Sequence, residues 1–150
     1  MYKRIVARRI RSLFDVIGRK DLDLALKDVS DDVHHIFPGA NALGGERHSK
    51  AAMRRWFERV YLLLPEIQFE VKKVAVRGWP WNTVVLVEWT DSGKAHDGVA
   101  YENEGAHAIR LRWGKAEYIH AYLDTEKVTA VCERLARNGL EEAAAPPITS

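Results

Sequence analysis

The order of the periodic segments along the sequence predicts an α+β fold. Apolar residues recur at helical spacing near the N-terminus, and after Pro65 the sequence alternates with a period of two up to a last helical segment. Helices followed by antiparallel strands form a curved, mostly antiparallel sheet wrapped on three to four helices. At 150 residues a single domain is expected over residues 1-140, with 141-150 as a loose C-terminal tail.

Composition and charge narrow the classes of partner and location. The net charge of +2 predicts neither a nucleic-acid partner nor a membrane partner. An arginine stripe on the first helix is interpreted as a solvated face. No apolar run approaches the ~20 residues that cross a bilayer. Cys132 is the single cysteine, so an internal disulfide is excluded and a cytoplasmic, reducing location is expected.

The first third of the chain is predicted to be mainly helical. Apolar residues at helical spacing predict a first helix that ends near Gly18, and Asp21 caps a short second helix through about Lys27. A strand over residues 33–37 stops at Pro38-Gly39, and a loop follows over residues 40–48. Ser49 is the expected N-cap of a helix that runs to Leu64.

Four strands and a final helix are predicted beyond residue 66. The first, over residues 67–78, carries a slip near Lys72-Lys73 that indicates a β-bulge. The strand over residues 83–91 is apolar on both faces, so we expect a homodimer that covers the outer sheet face. After a loop over residues 92–98, two further strands span 99–113 and 116–123. Asp124-Thr125 then begins an amphipathic helix.

The strand over residues 99–113 has a dry face that carries polar side chains. Tyr101, Asn103 and His107 alternate in phase with its apolar residues. A phenol, an amide and an imidazole each require a hydrogen-bond partner once buried. Their alignment on an inward face therefore predicts a cavity that holds a ligand.

Several segments together resemble one known family. Phe37-Pro38-Gly39, the helix with Trp56, Gly98-Val-Ala-Tyr101-Glu-Asn103, Trp113-Gly114-Lys115 and Tyr122-Leu-Asp-Thr125 look like the SnoaL-like branch of the nuclear transport factor 2-like (NTF2-like) superfamily. The resemblance implies a cone-shaped fold with a small-molecule cavity. The superfamily hosts isomerases, dehydratases, epoxide hydrolases, polyketide cyclases and proteins that only bind, so the fold does not fix the chemistry.

Residues that carry catalysis in relatives are only partly matched. Leu13 and Phe37 align with the tyrosine and aspartate of ketosteroid isomerases, so that mechanism is not expected. Of the epoxide hydrolase set Asp91 matches one acid, whereas Trp89 and Ala121 replace the arginine and the second aspartate. The polyketide cyclase arrangement of an aspartate and a histidine is similar to Asp124 with His107 or His120.

Three residues are the catalytic candidates, and each has a structural alternative. His107 has a pKa suited to proton transfer but could be a buried, satisfied histidine. Asp91 shares a face with Val87 and Trp89 but could be a turn residue, and Asp124 could be only an N-cap. The predicted ligand-binding residues are Tyr101, Asn103, His35, Trp56, Trp89, His120 and Tyr122.

The predicted function is binding of a small, largely apolar molecule in the cone, with proton transfer, cyclisation or hydration at a carbonyl-bearing substrate. The alternative is a non-catalytic ligand-binding or dimerisation module. No metal site is predicted, because the six histidines lack ligand-like spacing and Cys132 stands alone. No cofactor is predicted, because no phosphate-cradling glycine loop or dinucleotide fingerprint is present.

Overall fold

A computed structural model describes residues 1–149 of the chain. Four α-helices and a short 3₁₀ helix surround one face of a six-stranded sheet. The helices are α1 (Tyr2–Gly18), α2 (Leu22–Leu26), α3 (Lys50–Leu63) and α4 (Thr125–Arg137), followed by the 3₁₀ helix Glu141–Ala144. The strands are β1 (Val29–Phe37), β2 (Gly45–Arg47), β3 (Gln68–Trp79), β4 (Asn82–Lys94), β5 (Ala100–Arg112) and β6 (Lys115–Leu123).

The sheet is mixed, open and curved, in the order β2-β1-β6-β5-β4-β3. All neighbouring strands run antiparallel except β1 and β6, which are parallel. The predicted α+β class, with a mostly antiparallel sheet on helices, is therefore confirmed. Because successive side chains of a strand point to opposite faces, the sheet has an inner face toward the helices and an outer face away from them.

Local signals in the sequence set several element boundaries. The side chain of Asp21 accepts from the Leu24 N–H at 3.1 Å, and Ser49 Oγ accepts from the Ala52 N–H at 3.1 Å. Each cap satisfies one donor that the first turn leaves unpaired. The predicted bulge in β3 is confirmed by a register shift between Val71 and Lys73 against β4.

The predicted bounds of two loops, and of the strand before the first of them, differ from the structure. The segment predicted as a loop over residues 40–48 contains β2, which pairs with the end of β1 through His35 and Arg47. The strand predicted over 83–91 continues to Lys94, and β1 begins at Val29 rather than at residue 33. Asp91 therefore lies inside a strand, opposite Asn103 of β5, and is not a turn residue.

Residues 141–148, part of the segment predicted as a loose tail, are docked against the body of the domain. Two buried arginines hold them: Arg59 donates to Glu142 Oε1 at 2.7 Å and to the Pro146 carbonyl at 2.8 Å. Arg47 Nε donates to the Ile148 carbonyl at 3.0 Å. These partners lie more than 80 residues from the arginines in the sequence, so no local pattern reveals the contact.

The outer face of the sheet is exposed in the single chain. Leu86 and Val84 of β4 are 55% and 42% exposed, whereas Val85 and Val87 on the inner face are fully buried. The outer face is thus free to be covered by a second subunit. Over residues 1–149, no helix has the length and apolar character needed to cross a bilayer.

Candidate active site

The inner face of the sheet and helices α1–α3 enclose one apolar cavity of about 300 Å³. This volume lies at the lower end of the range for small-molecule sites. Six of the ten predicted site residues line it, namely Asp91, Tyr101, His107, His35, Trp56 and Trp89. Phe14, Phe57 and Phe69 add aromatic surface to the wall.

Asp91 is the carboxylate of this cavity. It is buried on the inner face of β4, and its Oδ1 is the only buried side-chain oxygen or nitrogen of residues 1–149 without a hydrogen-bond partner. Burial raises the pKa of Asp91 to about 7, although the Asn103 N–H and Lys127 oppose the shift. A carboxyl group that is half ionised near neutral pH can act as either a proton donor or an acceptor.

Tyr101 and Asn103 lie on β5 beside Asp91 and are linked to each other. Asn103 Nδ2 donates to the Tyr101 hydroxyl at 3.1 Å and to the Asp124 carbonyl at 3.0 Å. Because the hydroxyl oxygen accepts this bond, its own proton remains available for donation. Burial and the nearby Asp91 raise the pKa of Tyr101, so it stays a neutral donor.

His107 is held as a neutral imidazole of defined tautomer. Its Nδ1 accepts a 2.7 Å hydrogen bond from Trp89 Nε1, so the ring proton resides on Nε2. Burial lowers the pKa of His107 to about 4, and the charge of His120 adds to the shift. The ring therefore offers the cavity an N–H donor, and it does not serve as a proton-carrying cation at neutral pH.

His35 is fixed in the same way by a different donor. Arg47, which is fully buried, donates through Nη1 to His35 Nδ1 at 2.7 Å and through Nη2 to the Gly44 carbonyl at 3.2 Å. Burial and then the Arg47 charge keep the pKa of His35 well below its ordinary value. The sequence analysis missed Arg47 as its positioning partner, because β2 was assigned to a loop.

Trp56 and Trp89 supply apolar wall and also hold neighbours in place. Trp56 lies edge-on to His35, with ring centroids 4.7 Å apart, and its Nε1 donates to the Leu43 carbonyl. Trp89 fits because Gly105 faces it on β5: a Cβ at position 105 would lie 3.0 Å from the indole and 2.4 Å from the Tyr122 carbonyl oxygen.

Four predicted site residues do not line the cavity: Asn103, which bonds to the Tyr101 hydroxyl, and Asp124, His120 and Tyr122. Asp124 is an exposed N-cap whose Oδ1 accepts from the N–H groups of Glu126 and Lys127. His120 and Tyr122 lie on the outer face, where His120 Nδ1 is within hydrogen-bond distance of the hydroxyls of Tyr118 and Tyr122. Their even-numbered positions on β6 alternate with the buried Ile119 and Ala121.

Asp91 and His107 occupy separate positions along the cavity wall. His107 is opposite Val87, four residues from Asp91 on β4, which corresponds to about 13 Å along the strand. Trp89 lies between them on the same face. The two side chains therefore face different parts of the cavity, with Tyr101 beside the carboxyl group and His35 on the imidazole side.

A helix-backed, curved sheet that encloses such a cavity is the NTF2-like class of fold. The family model of the SnoaL-like domain matches residues 10–119, so the chain belongs to the SnoaL-like domain family. This confirms the resemblance seen in the sequence. A search of curated proteins found no match.

Solved structures agree on the fold. An NTF2-like protein of unknown function from Burkholderia pseudomallei has a TM-score of 0.73 at 19% identity, covering 83% of this chain and 95% of that chain. A candidate polyketide cyclase from Xanthomonas campestris pv. campestris has a TM-score of 0.68 at 17% identity, covering 85% and 96%. TerC, crystallised with polyporic acid, has a TM-score of 0.68 at 18% identity, covering 85% and 97%.

Proposed function

We propose that the protein binds a small, largely apolar, carbonyl-bearing molecule in its cavity and transfers a proton on it, with Asp91 as the general acid and base. The observation that carries this proposal is the buried Asp91 carboxyl group, whose Oδ1 lacks a partner on the wall of an apolar cavity. A buried polar atom without a partner costs about 1–3 kcal/mol, and a ligand that bonds it removes that cost.

Proton transfer follows from the ionisation of this carboxyl group. With a pKa of about 7, a large fraction of Asp91 is carboxylate at neutral pH. The carboxylate takes a proton from a carbon next to the carbonyl, and the electron pair of the C–H bond moves into an enolate. The protonated Asp91 then returns the proton to another atom of the enolate, so the reaction is balanced without a cofactor.

The other polar side chains orient the molecule and stabilise its charge. Tyr101, beside Asp91, is placed to donate to the oxygen on which enolate charge develops. The Nε2–H of His107 contacts a second polar group of the ligand farther along the wall. This assigns hydrogen-bond donation to His107, in place of the proton transfer expected from the sequence.

The structural neighbours support a small-molecule function of this class. One is described as a candidate polyketide cyclase and another was crystallised with polyporic acid. The alternative remains a non-catalytic ligand-binding or dimerisation module. We also propose a homodimer through the exposed outer sheet face and a location in the reducing cytoplasm, where the buried thiol of Cys132 stays reduced.

Thermal-shift screening tests ligand binding, and variants then test the role of Asp91. The panel comprises lipophilic ketones, hydroxy-steroids, epoxides, polyketide-like aromatics and polyporic acid. A ligand at 100 times its Kd stabilises the native state by about 2.7 kcal/mol. For a compound that is also converted, Asp91→Asn should lower kcat by about 100-fold or more. Glu88→Gln, on the outer face of the same strand, is the matched control.

A further inference from the structure

Three potential metal ligands meet on the outer face of the sheet, where β1 pairs with β2. The ligand atoms of His34, Glu46 and His48 all lie within 4.8 Å of one another. His34 Nε2 is 2.9 Å from Glu46 Oε2, and the rings of His34 and His48 stack with centroids 4.4 Å apart. The cluster lies outside the cavity, because the neighbouring His35 and Arg47 point to the inner face.

The strand pairing sets this arrangement. His35 pairs with Arg47 and Ile36 with Glu46 in antiparallel register, so His34 lies opposite position 48 and diagonal to Glu46. Glu46 and His48 are two residues apart and therefore share a face. Strand pairing holds the backbone of His34 and Glu46, and His48 follows directly after the end of β2, so side-chain rotations can adjust the donor atoms.

We infer that His34, Glu46 and His48 form a binding site for a divalent transition-metal ion, with Zn²⁺ as the ion that this donor set fits. Two imidazoles and one carboxylate suit Zn²⁺, and the fourth tetrahedral position is then open to water or to another ligand. Bond lengths of about 2.0–2.2 Å require ligand atoms roughly 3.4 Å apart. The His34–Glu46 separation of 2.9 Å has to open slightly, and the ligand atom of the exposed His48 has to move closer by at most about 1.4 Å, since all three ligand atoms lie within 4.8 Å of one another.

Other polar groups surround the cluster. Tyr118 lies edge-on to His34, with centroids 5.5 Å apart, and its hydroxyl is 2.9 Å from His120 Nδ1. Both belong to β6, the next strand of the same face. The ion would therefore lie at the edge of the surface proposed for dimerisation. The metal site does not depend on the function proposed for the cavity.

Isothermal titration calorimetry of the tag-free protein with Zn²⁺ tests this inference. The variants are His34→Ala, Glu46→Gln and His48→Ala, and far-UV circular dichroism checks that each is folded. His96→Ala, which removes another exposed histidine far along the chain, is the matched control. Titration with Co²⁺ gives a second measurement, because bound Co²⁺ develops visible absorption bands that report its coordination.

The expected result is one Zn²⁺ per chain for the wild type and His96→Ala. Each of the other three variants should lose more affinity than the roughly 10- to 100-fold that loss of an outer-shell partner costs. Glu46→Gln retains the size of an exposed side chain and so provides a folded variant if a histidine variant fails. Absence of Zn²⁺ binding, or equal affinity in all variants, would overturn the inference.

Discussion

The indole Nε1 of Trp89 donates a 2.7 Å hydrogen bond to Nδ1 of His107 on the adjacent strand. The bond forces the proton of the neutral imidazole onto Nε2, on a ring that lines the cavity. Arg47 acts on His35 in the same manner. Both cavity histidines therefore present N–H donors to the cavity. Asp91, elsewhere on the wall, presents an acceptor oxygen.

The tautomer of His107 is directly measurable. Long-range ¹H–¹⁵N correlation spectra should show a neutral Nε2–H ring down to about pH 5, because the pKa is lowered to about 4. Trp89→Phe removes the donor and should produce a mixture of tautomers. A protonated ring at pH 6 in the wild type would contradict this assignment.

Asp91 should make the protein less stable as the pH rises from 4 to 8. The folded-state pKa of about 7 lies above the ordinary value of 3.8 for an aspartate, so the folded chain binds the proton more tightly than the unfolded chain does. That stabilisation is fully present below the unfolded pKa and is lost progressively as the pH rises from there through the folded pKa. Asp91→Asn should therefore raise the free energy of unfolding at pH 8 by up to about 4 kcal/mol.

The comparison is made by urea denaturation at pH 4 and at pH 8, with Glu88→Gln as control. The gain for Asp91→Asn should vanish near pH 4, where the wild-type side chain is neutral in the folded state. An equal difference at both pH values would show that the carboxyl group is not buried in its charged form.

Removal of residues 141–150 should destabilise the domain, although the sequence predicts a loose tail there. Truncation removes three hydrogen-bond acceptors from Arg59 and Arg47, both of which are buried. We expect a loss of about 3 kcal/mol, since buried charged donors without partners are costly. Thermal or urea denaturation measures it, and an unchanged midpoint would contradict the docking of this segment.

Leu86→Glu should convert the proposed homodimer into a monomer. Leu86 is 55% exposed on the outer face of β4, and a charge there would be buried at the interface. Size-exclusion chromatography with light scattering measures the mass. Leu62→Glu on α3, where the leucine is 39% exposed, is the control that should stay dimeric. A monomeric wild type would refute the dimer itself.

The sequence predicts the fold well where local chemistry decides it. Asp21, Ser49 and Asp124 begin helices as predicted, because a capping side chain needs only the next three residues. The alternation of β5 likewise places Tyr101, Asn103 and His107 on the inner face. The face on which each of these side chains lies depends only on the alternation of side chains along the strand.

Features set by distant partners could not be predicted. β2 has only three residues, and its Arg47 is identified as an inward side chain only once β1 is beside it. Glu46 and His48 are two residues apart, which is the spacing of side chains on one face of a strand. The segment was predicted to be a loop, so this spacing was not interpreted. Asp124 and Tyr122 were expected in the site, yet a cap and an outward strand position turn them away.

Deuterium incorporation from D₂O into a bound carbonyl compound tests the proposed chemistry most directly. Compounds that shift the melting temperature are incubated with the wild type, Asp91→Asn and Glu88→Gln, and exchange at the carbon next to the carbonyl is followed by NMR. We predict exchange with the wild type and Glu88→Gln, and a rate lower by about 100-fold or more with Asp91→Asn. Equal exchange with Asp91→Asn, or none with any bound compound, would contradict a proton-transfer role for Asp91.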